Sequence, residues 1–318
     1  MAVETKIGAS APPMSIRDWT LLVLLGAIWG GSFFFARIAV AEIAPLALVM
    51  FRVSIAAAVL QLWLLLRGPS FRLAFPLAGS FFVMATLNNI IPFSLIFLGQ
   101  TELGAGLASV LNATTPFWTA ILANMLTQDE KLSAAKISGI LFGIAGTAVM
   151  IGPGLVAGLG GPIWAKFALI GAAISYGFAF IFARRFRGVP PPVVATGQLT
   201  ASTVVMIPLV LLVHGPAGLF AASFEVWSAV IALAVLATAF AYILYFRIIA
   251  SAGATNASLV TLIVPMSAIL LGTLFLGERL EVFEIAGMAL IGLGLVTIDG
   301  RIFAAAPKPF GRSHVNRM

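Results

Sequence analysis

Residues Gly104–Leu132 read GAGLASVLNATTPFWTAILANMLTQDEKL. The stretch is apolar enough to sit in a bilayer, yet its middle holds Asn112, Thr114, Thr115 and Pro116. Gly253–Leu280, GATNASLVTLIVPMSAILLGTLFLGERL, repeats it. Pro116 and Pro265 stand 149 positions apart, and the triplets Glu130–Leu132 and Glu278–Leu280 stand 148 apart. The chain therefore reads as duplicated, with a proline-interrupted helix in each copy.

Composition fixes the solvent of those helices. The 318 residues are 61% hydrophobic and 9% charged, against about 25% charged in a soluble domain. With a mean hydropathy of +1.11, the chain reads as a polytopic membrane protein. Cysteine is absent, which excludes disulfides and thiolate-held metals or clusters. The two histidines, His214 and His314, form no metal cluster, so no cofactor or metal is expected. The net charge of +7 is dispersed between spans. It reads as loop charge facing anionic lipid, not as a nucleic-acid surface.

Ten stretches have about the 20 apolar residues a crossing helix needs: Trp19–Ala39, Pro45–Leu66, Phe75–Leu98, Gly104–Leu126, Ser133–Ile151, Ile163–Ala183, Val193–Val213, Trp227–Ile249, Ala254–Leu276 and Val282–Ile298. They give a first five-helix repeat at 19–151, a Gly-rich linker at 152–162 and a second repeat at 163–299. Residues 1–18 and 300–318 read as polar cytoplasmic ends. With the N terminus inside, Arg67, Arg72, Lys131, Lys136, Arg184, Arg185, Arg187, Arg247 and the basic tail residues all face the cytoplasm. Only Arg37, Lys166 and Arg279 fall opposite, as the positive-inside rule expects. Arg52 falls inside the second span.

The duplication recurs elsewhere. Trp29–Arg37 matches Tyr176–Arg184 at offset 147, Phe93, Leu95 and Phe97 match Tyr242, Leu244 and Phe246 at offset 149, and Gly139 and Gly146 match Gly287 and Gly294 at offset 148. Five spans is an odd number, so the second copy enters the membrane from the opposite side. The expected fold is all-α, ten transmembrane helices in two inverted-topology repeats, a common build of alternating-access carriers.

Polar groups inside spans mark candidate sites. Each proline removes a helix N–H, freeing the carbonyl four residues before it: Asn112 before Pro116, Thr261 before Pro265 and Asn88 before Pro92. Protein or a wet cavity must then satisfy those carbonyls. Ser109, Asn112, Pro116 and Thr119 share one helix face, matched by Ser258, Thr261, Pro265 and Ala268. That stripe suits either a cavity wall or a helix–helix seam. Of Asn88 and Asn89, Asn88 is expected toward the cavity. Trp29, Trp118, Tyr176, Tyr242 and Tyr245 could hold an amphipathic solute by ring packing and a hydrogen bond. No carboxylate lies deep in a span. Arg52 could snorkel, pair with Glu42 or Glu102, or meet a substrate carboxylate.

Ala27–Phe33 (AIWGGSF), Ala108–Pro116, Ala257–Pro265 and Leu276–Leu280 (LGERL) resemble the drug/metabolite transporter superfamily, in particular its EamA-type ten-helix members. The resemblance covers about Trp19 to Asp299 and extends to bacterial aromatic amino-acid exporters. It implies a central cavity lined by helices one, three, four, six, eight and nine, with helices five and ten peripheral and able to make a homodimer contact. The expectation is a secondary transporter of the bacterial inner membrane with both termini cytoplasmic. It would export small organic solutes, amino acids including aromatic ones among them, by alternating access. Thr115, adjacent to Pro116, is counted with the binding residues. The alternatives are an intramembrane enzyme acting on a lipid or amphipathic substrate, and a solute channel. No phosphate-binding GxxxxGK[ST], HExxH or GxSxG motif supports ATP hydrolysis or intramembrane catalysis, and no catalytic residues are assigned.

Overall fold

Helix starts are written locally. Ser15 and Asp18 form a capping box, each side chain taking the other's backbone N–H. Pro45 and Pro191 open their helices at the position where a missing N–H costs nothing. The computed structural model describes residues 15–128, 132–157, 161–252, 257 and 259–299. In chain order these form α1 (Ile16–Ala39), α2 (Pro45–Arg67), α3 (Phe71–Gln100), α4a (Ala105–Asn112), α4b (Thr115–Leu126) and α5 (Ala134–Ala157). The second half gives α6 (Ile163–Phe182), α7 (Pro191–His214), α8 (Phe224–Ala252), α9 (Val260–Phe275) and α10 (Val282–Asp299).

Counting α4a and α4b as one broken helix, the ten expected helices are present. Among the described residues seven are long and apolar enough to cross a membrane, and α9 and α10 are shorter apolar helices. The third span is longer than expected, starting at Phe71 and ending at Gln100. The expected ninth-span start, 254–256, and Ser258 of the repeated stripe lie outside the described residues, as does Glu130. Large apolar side chains such as Leu65, Leu212, Met266 and Phe275 stay exposed around the bundle. That is the surface expected of helices whose solvent is lipid.

Helix packing repeats about a pseudo-twofold axis. α1 packs on α9 and α6 on α4b; α3 packs on α6 and α8 on α1; α2 meets α8 and α7 meets α3. The pairs α2–α7, α4a–α9 and α5–α10 map onto themselves. In the α5–α10 pair, Gly139 faces the Gly294 carbonyl and Gly146 faces the Gly287 carbonyl. The numbers run in opposite senses, so these helices are antiparallel, as inversion of the second copy requires. A Cβ on Gly146 or Gly287 would stand 2.6 Å from the opposing carbonyl oxygen. Glycine is therefore what lets the two backbones touch. The glycines of α5 and α10 thus pack on each other within one chain.

The same device recurs at the core. A Cβ on Gly30 of α1 would meet Val264, Ser267 and Ala268 of α9, and one on Gly177 of α6 would meet Trp118 and Thr119 of α4b. Ser267 donates to the Gly26 carbonyl at 2.8 Å. We call the end of the bundle carrying the α1–α2 connection distal and the opposite end proximal. A smaller apolar cluster around Phe81, Phe186 and Val193 packs toward the proximal end, with Phe81 and Phe186 stacked at 4.7 Å.

Candidate functional site at midspan

The break in α4 is built from threonines. The Asn112 carbonyl freed by Pro116 accepts from Thr115 Oγ1 at 2.7 Å, and the Leu111 carbonyl accepts from Thr114 Oγ1 at 2.6 Å. Thr119 donates to the Thr115 carbonyl, and the Trp118 indole donates to Thr114 Oγ1 at 3.3 Å. The orphan carbonyl is thus satisfied inside its own helix, the local side-chain bonding typical of threonine. What stays open is the Asn112 side chain, whose Oδ1 has no partner. The second copy differs: Pro265 sits inside the continuous α9, with Thr261 and Pro265 both half-buried.

In α3 the proline has another effect. Thr86–Ile90 is a π turn, in which Ile91 N–H reaches back five residues to the Thr86 carbonyl. In that register Pro92 deprives Leu87, not Asn88, of its partner. Ser175 Oγ of α6 supplies the missing bond to the Leu87 carbonyl at 2.7 Å. The expectation that Pro92 would open the Asn88 carbonyl is corrected by this one-residue shift. α8 carries a π segment at the matching place, Ala232–Phe240, without a proline. Midspan π turns are frequent at functional sites because they expose backbone and re-aim side chains.

The two π segments hold the polar interior together. Asn89 is fully buried and donates to Ser202 of α7 at 3.0 Å. Half-buried Asn88 donates to Gln198 Oε1 at 2.9 Å and lies within hydrogen-bond reach of the Tyr242 hydroxyl. Thr238, in the second π segment, accepts from Arg52 Nε at 2.9 Å. The Arg52 guanidinium lies over the Phe93 ring at 3.9 Å, with Phe97 at 5.8 Å. Tyr176 and Tyr242 are within its electrostatic range. Trp29 packs on Tyr245 at 5.3 Å, and Tyr242 stacks on Phe246 at 6.0 Å.

Arg52 therefore neither snorkels nor pairs with Glu42. Glu42 instead accepts from Ser223 N and Oγ at 2.6 and 2.8 Å, and these two bonds hold its carboxyl below the usual carboxylate range. Of the expected binding residues, Trp29, Asn88, Tyr176, Tyr242 and Tyr245 gather around the π segments. Asn112, Thr115, Pro116 and Trp118 form the α4 break, which reaches the cluster through α6, where Gly177 beside Tyr176 packs on Trp118. Thr261 and Pro265 sit on α9.

A vestibule of about 790 Å³ opens at the distal end between the ends of α1, α4a, α8 and the α9–α10 connection. It is lined by Arg37, Glu42, Glu102, Glu225, Glu278 and Arg279 among others. Glu278 reaches across to the first turn of α4a, accepting from Ala105 N at 2.7 Å and Gly106 N at 3.1 Å. This vestibule lies at the bundle's end. The polar chemistry within the spans is deeper, at the π segments.

An EamA-like transporter family model matches residues 18–152 and again residues 163–298. The chain belongs to the EamA-like transporter family. It is accordingly a membrane transporter, of a family of transporters and not of enzymes. An uncharacterized inner membrane transporter of Escherichia coli, YedA, is 27% identical over 302 residues, spanning 92% of this chain and 96% of YedA. An uncharacterized transporter of Archaeoglobus fulgidus is 22% identical over 285 residues, 89% of this chain and 99% of its own. A protein solved by crystallography superposes with a TM-score of 0.64 at 21% identity, covering 92% of this chain and all of that one. At that identity the superposition speaks to the fold alone.

Within this EamA-like frame, sequence reasoning missed Gln198, Ser202 and Thr238. A signal for the first two was present: Thr196–Thr203, TGQLTAST, is an unusually polar run for a span. Thr238 stands alone among apolar neighbours in the sequence, and it lies in the second π segment where it meets Arg52.

Proposed function

We propose that this EamA-like transporter is a secondary carrier exporting small organic metabolites, amino acids including aromatic ones, through a central cavity by alternating access. The observation that carries the reading is the midspan cluster itself. Asn88 and Thr238 of the two π segments, with Gln198 of α7 and Tyr242 of α8, stand beside Trp29, Tyr176, Tyr245 and Phe93. A largely apolar, aromatic wall with a few converging polar groups is the ordinary chemistry of a small-molecule site. Asn112 and the α4 break, with α9 opposite, are the elements proposed to flex as access changes.

The excess of Arg and Lys on the connections shared with the two termini supports a membrane orientation with both termini in the cytoplasm. YedA, named as an inner membrane transporter, supports the same bilayer for this chain. The test is uptake by the purified protein in liposomes, using a panel of labelled amino acids and other small metabolites without ATP, with and without a proton gradient. Flux of amino acids supports the reading and its response to the gradient assigns coupling. Flux confined to other solutes removes the amino-acid class, and no flux across the panel removes the carrier reading.

A further inference from the structure

We infer that the Arg52 guanidinium is the counter-charge for a carboxylate on the transported solute. The inference rests on the midspan cluster being the solute site. Arg52 is 6% exposed and stands seven residues into α2 from Pro45, roughly 10 Å along the helix. A guanidinium cannot shed its charge at any accessible pH. A buried charge without an opposite charge is strongly disfavoured, the more so within a membrane span.

The protein supplies Arg52 with only neutral partners. Nε donates to Thr238, and the rings of Phe93 and Phe97 face the guanidinium plane. Among the described residues no carboxylate lies at ion-pair distance from it, and Nε is its one hydrogen-bonding atom. Of the acidic residues toward the distal end, Glu42 is committed to Ser223, Glu278 to the start of α4a and Glu284 to the Glu281 N–H. Lys166 makes the contrast. It is the other buried cation among the described residues, and it has the Met150 carbonyl at 3.1 Å and Glu284 in electrostatic range. Arg52 has no such compensation.

The two terminal nitrogens of Arg52 thus keep their N–H groups for a ligand. Paired N–H donors in one plane match the two oxygens of a carboxylate. Tyr176 and Tyr242 within electrostatic range are neutral and can accept an amphipathic body, and their faces can receive an ammonium group by cation–π attraction. A solute with an amine but no carboxylate meets an uncompensated positive charge there and is rejected.

The test is counterflow in proteoliposomes with matched sets of solutes: phenylalanine, 3-phenylpropionate and 2-phenylethylamine, with corresponding branched aliphatic and short-chain sets. Carboxylate-bearing members should exchange and the bare amines should not. Arg52→Gln should raise the half-saturation concentration for carboxylates at least tenfold, with Arg52→Lys intermediate. Equal transport of the amines, or an unchanged half-saturation in Arg52→Gln, overturns the inference while leaving the carrier reading intact. A wild-type protein that moves no solute of a broad panel overturns the carrier reading, and the inference falls with it. Thermal stabilisation of the wild-type protein by the same compounds gives a readout independent of the variants' folding. Stabilisation by carboxylates alone is expected, and stabilisation by the amines to the same extent overturns the assignment.

Discussion

Replacing Glu278 by glutamine should lower the melting temperature by roughly 3 °C. The carboxylate sits at the N-terminus of α4a and takes two backbone N–H groups, Ala105 at 2.7 Å and Gly106 at 3.1 Å. Those groups have no partner within their own helix, since the first turn of any helix leaves its N–H groups free. A hydrogen bond to a charged group contributes about 1.5–3 kcal/mol, and a negative charge at a helix N-terminus adds about 0.3–1 kcal/mol. Glutamine keeps one acceptor but turns an NH₂ toward the other N–H, so one bond and the charge are lost. Because Glu278 is partly exposed, about 2 kcal/mol is the fitting figure. For 318 residues, at about 2.1 cal/mol/K of unfolding entropy per residue, each kcal/mol moves the midpoint by about 1.5 °C.

The space for that carboxylate is made by glycine. A Cβ on Gly104 would stand 2.6 Å from the Glu278 carboxyl carbon, and one on Gly272 would stand 2.3 Å from Oε2. Gly272→Ala should therefore cost a similar amount, and the two substitutions combined should cost less than their sum because both remove one contact. The assay is thermal unfolding of the purified protein in one detergent and lipid condition. A Glu278→Gln protein melting within one degree of wild type would refute the cap as a stabilising element.

Gly30→Ala should destabilise by about 1–3 kcal/mol, because its Cβ would stand 2.0 Å from Ser267 Oγ and 2.7 Å from the Val264 carbonyl oxygen. Gly177→Ala, whose nearest atoms would be at 3.1 and 3.2 Å, should cost clearly less than Gly30→Ala; equal losses would contradict the packing described. Thr115→Val should cost about 1 kcal/mol by stripping the Asn112 carbonyl of its donor, read by thermal unfolding. Glu42 has its carboxyl held below the ordinary range by Ser223. A lowered folded-state pKa means the stabilisation is present above the unfolded value and lost as pH falls through the folded one. Melting measured from neutral pH down past about pH 4 should show that loss in wild type and a flatter profile in Glu42→Gln; identical profiles would remove Glu42 as a contributor.

Much of the frame was legible because membrane spans announce themselves by length and because duplication leaves paired landmarks. Pro116 with Pro265 and Gly139 with Gly287 are such landmarks. Their meaning was less legible. Pro92 pointed to Asn88 only under α-helical register, and the π turn moved the orphan carbonyl to Leu87. Nothing in Ala232–Phe240 marks a π segment, because the choice between α and π there is made by packing against other helices. Polar partners were hidden for a related reason. With apolar residues on every face, periodicity does not report how a helix is rotated, so the pairing of Asn89 with Ser202 or Arg52 with Thr238 could not be read. Thr115 looked like a cavity hydroxyl, yet its nearest unsatisfied acceptor was the Asn112 carbonyl in its own helix.

A carrier with one solute site reachable in turn from each side differs from a channel and from an enzyme in a single measurement. Liposomes containing the purified protein are loaded with an unlabelled amino acid and diluted into a trace of the labelled one without ATP. The account predicts that label rises transiently above its equilibrium level inside, as exchange through one alternating site demands, and then decays. Label that merely equilibrates without an overshoot, or fails to enter for every amino acid of the panel, would contradict it.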